Sequence, residues 1–157
     1  MVKILLVCMG NICRSPMAAS VMHAEVARRQ LGEQVSLDSA GTYGAHQGEK
    51  ADARAVSLAQ ARGYEQILKE RARKVTEEDF ARFDLILAMD RDNLTQMQRV
   101  CPSEYRHKLH LFLEYAGVSE RMEVPDPYYG NAAGFEAVLR LCELGVDGVL
   151  RRVTQAL

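Results

Sequence analysis

The 157 residues make one domain's length of chain, enough to bury well over half of the surface that the unfolded form exposes. Charged residues reach 26% but sum to a net charge of −1, which excludes a disordered charged tail, a nucleic-acid-steering surface and a polybasic membrane patch. The opening apolar run is too short for a bilayer span or a signal-peptide core, and no small-residue cleavage site follows it, so the expected location is the cytoplasm.

In chain order, the run Val2 to Val7 is apolar but for Lys3 and β-branched-rich, the pattern of a strand buried on both faces of a parallel sheet. The stretch "CMGNICRSP" follows. Ser15 is then the expected N-cap of a helix with Pro16 at its first position. Met17, Val21, Ala24, Ala27 and Leu31 are expected along its buried face, and Gly32 at its end. "QVSLDSAGT" reads as a second strand that enters a Gly-rich loop lasting to about Gly48. Asp52 is placed to cap a helix ending near Gly63, and Thr76 to cap a short one.

"FDLILAMD" is a third buried strand, Asp90 opens a helix to about Val100, and "KLHLFLEY" is expected as the fourth strand. Residues 117–134 form a loop. Phe135, Val138, Leu139, Cys142, Val146, Val149 and Val153 then line one face of a closing helix, with Gly145 and Gly148 as expected weak points. Strands alternating with helices predict a single α/β domain over 1–157, with a four-stranded parallel sheet and helices on both faces.

In open α/β sheets ligands sit beyond the carboxyl ends of the strands. Residues 8–15 lie there, between the first strand and the first helix. Backbone N–H groups of Met9, Gly10, Asn11, Ile12 and Cys13, with the helix N-terminus, make an anion nest. Arg14 adds a planar fork of donors for two phosphate oxygens. Cys8 at the strand end lies beneath such an oxyanion, where the same dipoles favour its thiolate. A thiolate aimed at phosphorus, with donors around it, is a device for phosphoryl transfer.

Gly10 allows close backbone approach, Asn11 tolerates a left-handed conformation, and the Ser15 hydroxyl can hydrogen-bond the Cys8 sulfur. No Gly-x-x-x-x-Gly-Lys-Ser/Thr is present, which excludes a nucleotide P-loop. Transfer from tyrosine also needs an acid for the departing phenolate, and "PDPYYG" supplies Asp126 with Tyr128 and Tyr129 as walls of an aromatic slot. Four cysteines, Cys8, Cys13, Cys101 and Cys142, lack both disulfide-framework density and paired CxxC spacing, so free thiols are expected. Nothing supplies the clustered ligands of a two-metal phosphatase, and no metal or cofactor is called for.

With "CMGNICRSP", "DSAGT" at 38–42, "DLILAMD" at 84–90 and "DPYYG" at 126–130, the chain resembles the low-molecular-weight protein tyrosine phosphatases over its whole length. The resemblance implies Cys8 as nucleophile, Arg14 as phosphate clamp and Asp126 as general acid, then as base for water attacking a phosphocysteine. It implies Asn11, Ser15 and Ser39 as a network holding the loop, and Met9, Ile12, Tyr128 and Tyr129 around the substrate. It also implies Cys13 as a second cysteine able to pair reversibly with Cys8 under oxidants.

Departures from the family pattern are Ala45 and His46 where a bulky aromatic is common, and Arg62 and Glu70 where some members have histidine. Tyr43 and His46 are therefore the secondary slot candidates. The expected partners are a tyrosine-phosphorylated protein and phosphate or another oxyanion, with no nucleic acid or membrane. The chain is expected as a monomer or weak homodimer.

His23, His107 and His110 read as structural or surface residues, "RARK" at 71–74 as a solvated turn, and Cys101 and Cys142 as core or near-surface thiols. Two other enzyme readings share the scaffold. A thiol-dependent arsenate reductase needs two further cysteines on a mobile segment, which Cys101 and Cys142 do not form. A protein-arginine phosphatase calls for a small polar residue at 12, where Ile12 instead packs a phenyl ring. A non-catalytic phosphotyrosine-binding module is argued against by the complete set Cys8, Arg14 and Asp126.

Overall fold

The computed structural model describes residues 1–155, so the last two residues of the expected 1–157 unit lie outside the described part. Strands β1 (Val2–Cys8), β2 (Val35–Gly41), β3 (Leu85–Ala88) and β4 (Leu109–Leu111) form one sheet in the order β2-β1-β3-β4. Every pairing is parallel, with Cys8 opposite Gly41 and Val7 opposite Ala88. Between the strands run α1 (Arg14–Arg28), α2 (Ala53–Ala61), α3 (Glu77–Arg82), α4 (Arg91–Val100), α5 (Phe112–Ala116) and α6 (Ala132–Gln155), with 3₁₀ turns at Glu65–Lys69 and Ser103–Lys108.

Side chains alternate across a strand, and both faces of this sheet are covered. Ile4 and Leu6 of β1 join Leu87 and the inner faces of α1, α2, α5 and α6. Leu5 and Val7 join Ile86, Phe80 of α3 and Met97 of α4 on the other side. That is why Ile4 to Val7 is an unbroken apolar run and not an alternating one. The central β1 has neighbours on both sides, so its carboxyl end opens at the switch point of the sheet.

Several boundaries differ from expectation. Helix α1 starts at Arg14 with Cys13 as N-cap, because the Met17 N–H already bonds the Cys13 carbonyl at 3.1 Å. Ser15 is thus inside the helix, its hydroxyl committed to Cys8 and Asn11. The helix ends at Arg28 and not at Gly32. Gln30 takes the left-handed position at φ 57°, with Gln30 N–H to Ala27 O and Leu31 N–H to Val26 O, a Schellman closure made without glycine. Its buried face runs through Met17, Ala18, Val21, Met22 and Val26, while Ala27 is exposed.

The fourth strand is three residues long, and Phe112 to Tyr115, expected as strand, fall with Ala116 in α5. The reason lies in α6. A Cβ on Gly145 would lie 2.3 Å from the Phe112 ring and one on Gly148 2.1 Å from the Ala116 carbonyl oxygen. The two glycines read as weak points are where α5 seats against α6, and the packing gained outweighs their helix-propensity cost of about 1 kcal/mol each. Asp52, Thr76 and Asp90 precede α2, α3 and α4 as expected. Asp52 accepts from the Arg54 N–H, the Asp79 side chain accepts from the Thr76 N–H, and Asp90 accepts from the Asn93 N–H.

Candidate active site

The carboxyl end of β1 runs directly into the loop 8–13. Asn11 holds the left-handed conformation at φ 58°, as expected, and turns its N–H back to within 3.3 Å of the Cys8 Sγ. The loop is braced from outside. Its Cys8, Met9 and Ile12 carbonyls accept from the Thr42, Tyr43 and Asp52 N–H groups. This bracing brings β2 so close that a Cβ on Gly41 would meet the Met9 carbonyl oxygen at 2.5 Å, which accounts for the glycine of "DSAGT".

Beneath the loop lies a buried polar network. The Asn11 Nδ2 donates to Ser15 Oγ at 2.8 Å and to Ser39 Oγ at 2.9 Å, and the Asn11 Oδ1 accepts from the Arg73 N–H at 3.0 Å. Ser15 Oγ stands 3.0 Å from the Cys8 Sγ. Ser39 Oγ donates to Glu70 at 3.0 Å. The expected trio Asn11, Ser15 and Ser39 is therefore assembled, and Glu70 and Arg73 extend it.

Arg14 is buried, with its side chain 3% exposed. Its Nη1 donates to Asp90 at 2.6 Å and to the Val124 carbonyl at 3.1 Å, which fixes the plane of the guanidinium. Burial opposes its charge, but Cys8, Asp90 and Asp126 together outweigh that and raise its pKa. Asp126, on the loop before α6, places its Oδ2 3.7 Å from Arg14 Nη2 while its Oδ1 accepts from the Tyr128 N–H at 3.0 Å. Its side chain is 36% exposed, so it faces the opening.

Cys8, Met9, Ile12, Cys13, Arg14 and Asp126 line a cleft of about 200 Å³, walled by Tyr128 and Tyr129, which meet edge to face at 4.9 Å. Tyr43 and His46 line it too. His46 lies 6.4 Å from the Tyr128 ring and is oriented by Glu49 at 2.8 Å, and the absent side chain of Gly10 leaves room for it. Burial, with Asp52 second, pushes the Cys13 thiol up to about 12. Cys101 and Cys142 are buried away from the opening, and Cys142 is also raised by burial.

Three contributors lie outside the sequence-based assignment. Asp90 was expected only as a helix cap, yet its second oxygen holds Arg14; its signal was its place at the end of a buried strand, where sites form. Arg54 pairs with Asp52, donates to the Tyr128 carbonyl at 2.9 Å and lies over the Tyr128 and Phe135 rings, tying the Asp126 loop to α2 and α6. Arg73 of the "RARK" turn is not simply solvated, since it pairs with Asp38 and Asp79. No local pattern marks these two.

A strand-to-helix loop with a thiol at its floor, a fixed guanidinium and a carboxylate at its rim is an arrangement able to hold an oxyanion. The family model described as low molecular weight phosphotyrosine protein phosphatase matches residues 3–157. A low molecular weight protein-tyrosine-phosphatase of Streptomyces coelicolor is 40% identical over 98% of this chain and 94% of its own. A low molecular weight phosphotyrosine protein phosphatase of Homo sapiens is 38% identical over 89% and 88%. The crystal structure of a protein tyrosine phosphatase from Entamoeba histolytica with Hepes in the active site superposes with a TM-score of 0.94, at 36% identity over 99% of each chain. The chain belongs to the low molecular weight phosphotyrosine protein phosphatase family, and it is an enzyme of the protein-tyrosine-phosphatase class.

Proposed function

We propose that this protein hydrolyses phosphotyrosine in proteins, and small aryl phosphates, through a cysteinyl-phosphate intermediate. The Cys8 Sγ attacks phosphorus in line as the tyrosyl oxygen departs, and Asp126 gives that oxygen its proton. Arg14 and the loop N–H groups take the charge that grows on the equatorial oxygens. Asp126 then accepts a proton from the water that attacks the phosphocysteine, releasing phosphate and Cys8. The observation that carries this reading is the convergence of Arg14 and Asp126, 3.7 Å apart, in the cleft floored by Cys8.

Tyr128, Tyr129, Met9 and Ile12 suit a flat phenyl ring, which favours phosphotyrosine over a guanidinium phosphate. Tyr43 and His46 line the same cleft, which supports a role for them in meeting residues next to the phosphotyrosine. The sulfonate buffer in the related Entamoeba active site supports binding of phosphate and similar oxyanions. The chemistry calls for no metal, so turnover is expected to survive EDTA. A cytoplasmic protein acting over the whole 1–157 unit, as monomer or weak homodimer, accords with this reading. The Cys8–Cys13 pair is a redox element only where the Cys13 thiol is first oxidised or deprotonated, and its raised pKa slows the second route.

The test is trapping with ³²P-labelled phosphotyrosyl peptide. Acid quench of the wild type is expected to leave a phosphorylated peptide containing Cys8. Cys8→Ser is expected to bind phosphate without turnover, because its alkoxide is far less accessible than a thiolate. Substantial turnover by that variant assigns the nucleophile elsewhere.

A further inference from the structure

Asp126 belongs to a loop with few main-chain bonds to hold it. Pro125 and Pro127 flank it and have no N–H to donate, and the Gly130 N–H turns back to the Pro127 carbonyl within the loop. Among the described residues, the hydrogen bond that ties residues 125–131 to another element runs from Arg54 Nη2 to the Tyr128 carbonyl at 2.9 Å. The Tyr128 N–H in turn holds the Asp126 Oδ1 at 3.0 Å. Asp126 Oδ2 lies 3.7 Å from Arg14 Nη2, beyond direct hydrogen-bond length, so that pairing attracts without fixing a position.

Arg54 is itself held from several sides. Its Nε and Nη2 meet the two Asp52 carboxylate oxygens at 3.0 and 2.9 Å, in a two-point fork. The second Nη2 hydrogen is the one that reaches Tyr128. The guanidinium lies 4.7 Å from the centre of the Phe135 ring and 5.6 Å from that of Tyr128. Asp52 is fixed to the oxyanion loop, since its N–H donates to the Ile12 carbonyl at 2.8 Å. A continuous path thus joins that loop to the carboxyl at the rim, through Ile12, Asp52, Arg54, Tyr128 and Asp126.

Proton transfer to a departing oxygen requires the acid within about 3 Å of it. We propose that Arg54 is a positioning residue for the general acid: by gripping the Tyr128 carbonyl, it sets where Asp126 stands relative to the oxyanion loop. The proposal rests on the acid role given to Asp126 above. Arg54 acts here through the Tyr128 main chain. Because the Tyr128 ring also walls the cleft, losing Arg54 disturbs binding as well, and the two effects must be separated.

The experiment measures kcat/KM on phenyl phosphate and on p-nitrophenyl phosphate, and its readout is the ratio of the first to the second. Both esters present a phenyl ring to the slot, so a disturbed wall or a loss of folded enzyme cancels in the ratio. Protonation matters more for the poorer leaving group, so a displaced acid lowers the ratio, and Asp126→Asn sets the full effect. Arg54→Met and Arg54→Ala are expected to lower it about ten-fold, the worth of one hydrogen bond from a charged donor. In both, Asp52 still accepts from the main-chain N–H of residue 54, so α2 keeps its cap. With Asp126→Asn already present, the Arg54 substitutions are expected to leave the ratio where it is.

An unchanged ratio in the single Arg54 variants, with both esters falling alike, overturns the inference while the fallen Asp126→Asn ratio keeps the acid assignment standing. A further fall in the Asp126→Asn background overturns it equally. An Asp126→Asn ratio equal to that of the wild type removes the acid assignment itself, and this inference with it.

Discussion

Asp90→Asn separates two roles that one carboxylate performs. Asparagine is as good an N-cap as aspartate, so the bond to the Asn93 N–H is kept and α4 retains its start. What is lost is the charge facing Arg14 at 2.6 Å, where the guanidinium is 3% and the carboxylate 21% exposed. Removing one partner of a fully buried pair costs about 3–5 kcal/mol. With the one amide oxygen kept on the Asn93 N–H, the amide NH2 replaces Oδ2 and meets Arg14 Nη1 donor to donor, and only the Val124 carbonyl still accepts from it. Because the carboxylate is partly exposed, the expected loss lies at the low end of that range, about 3 kcal/mol. If that loss is felt in the placement of Arg14 at the transition state, kcat/KM falls about a hundred-fold.

The fall should be equal on tyrosyl phosphate and on p-nitrophenyl phosphate, because the guanidinium serves the transferring phosphoryl group and not the leaving oxygen. Steady-state kinetics on both esters, with urea unfolding alongside, make the measurement. Asp90→Ala should add about 1 kcal/mol of lost stability from the missing cap. An Asp90→Asn enzyme with wild-type kcat/KM, or one impaired on tyrosyl phosphate alone, refutes this account of Asp90.

Asp126→Asn is expected to lose far more kcat/KM on tyrosyl phosphate than on the nitrophenyl ester, whereas Arg14→Lys loses activity on both; equal impairment by Asp126→Asn gives the acid role to another residue. Gly145→Ala sets the gain in helix propensity, about 1 kcal/mol, against a Cβ 2.3 Å from the buried Phe112 ring, and a net loss of about 1–2 kcal/mol is expected in urea melts; a stabilised variant contradicts the seating of α5 on α6. Glu25 is held at about 2 by its hydrogen bonds to Arg28 and then Arg29. A lowered folded-state pKa means stability present above the unfolded value of about 4.3 and lost as pH falls toward 2. Glu25→Gln should therefore cost less than about 1 kcal/mol at pH 7, since Arg28 is exposed, and the gap to wild type in urea midpoints should close between about pH 4.5 and 2.

The parts that were legible in the sequence are those where local physics decides the matter. Ile4 to Val7 is apolar throughout because β1 is covered on both faces there, and Asp52 and Asp90 announce helices because a short carboxylate satisfies a bare N–H group. Cys8, Asn11, Arg14 and Ser15 fall within one turn of chain and so carry their geometry in their spacing. Phe112 to Tyr115 misled because a largely apolar stretch suits a strand or a buried helix alike, and only Gly145 and Gly148, about thirty residues on, select the helix. Glu70, Arg73 and Arg54 escaped for a related reason: each acts across the fold, on Ser39, Asn11 and Tyr128, at separations of 31, 62 and 74 residues.

The Arg73 contacts have a consequence for how the molecule opens. Helix α3 has six residues, too few to persist without outside support. Asp79 closes its capping box and also grips Arg73 through two hydrogen bonds, and the Arg73 main chain holds Asn11 and the Gly41 N–H. When α3 frays, Arg73 is released, and the left-handed turn at Asn11 loses one of its anchors. The short helix and the oxyanion loop thus belong to one local-unfolding unit, although a whole sheet edge lies between them in sequence. In amide exchange the protection of Asn11 and of Arg73 should rise and fall together, and a bound oxyanion gripping the loop should slow exchange in α3, which it never touches.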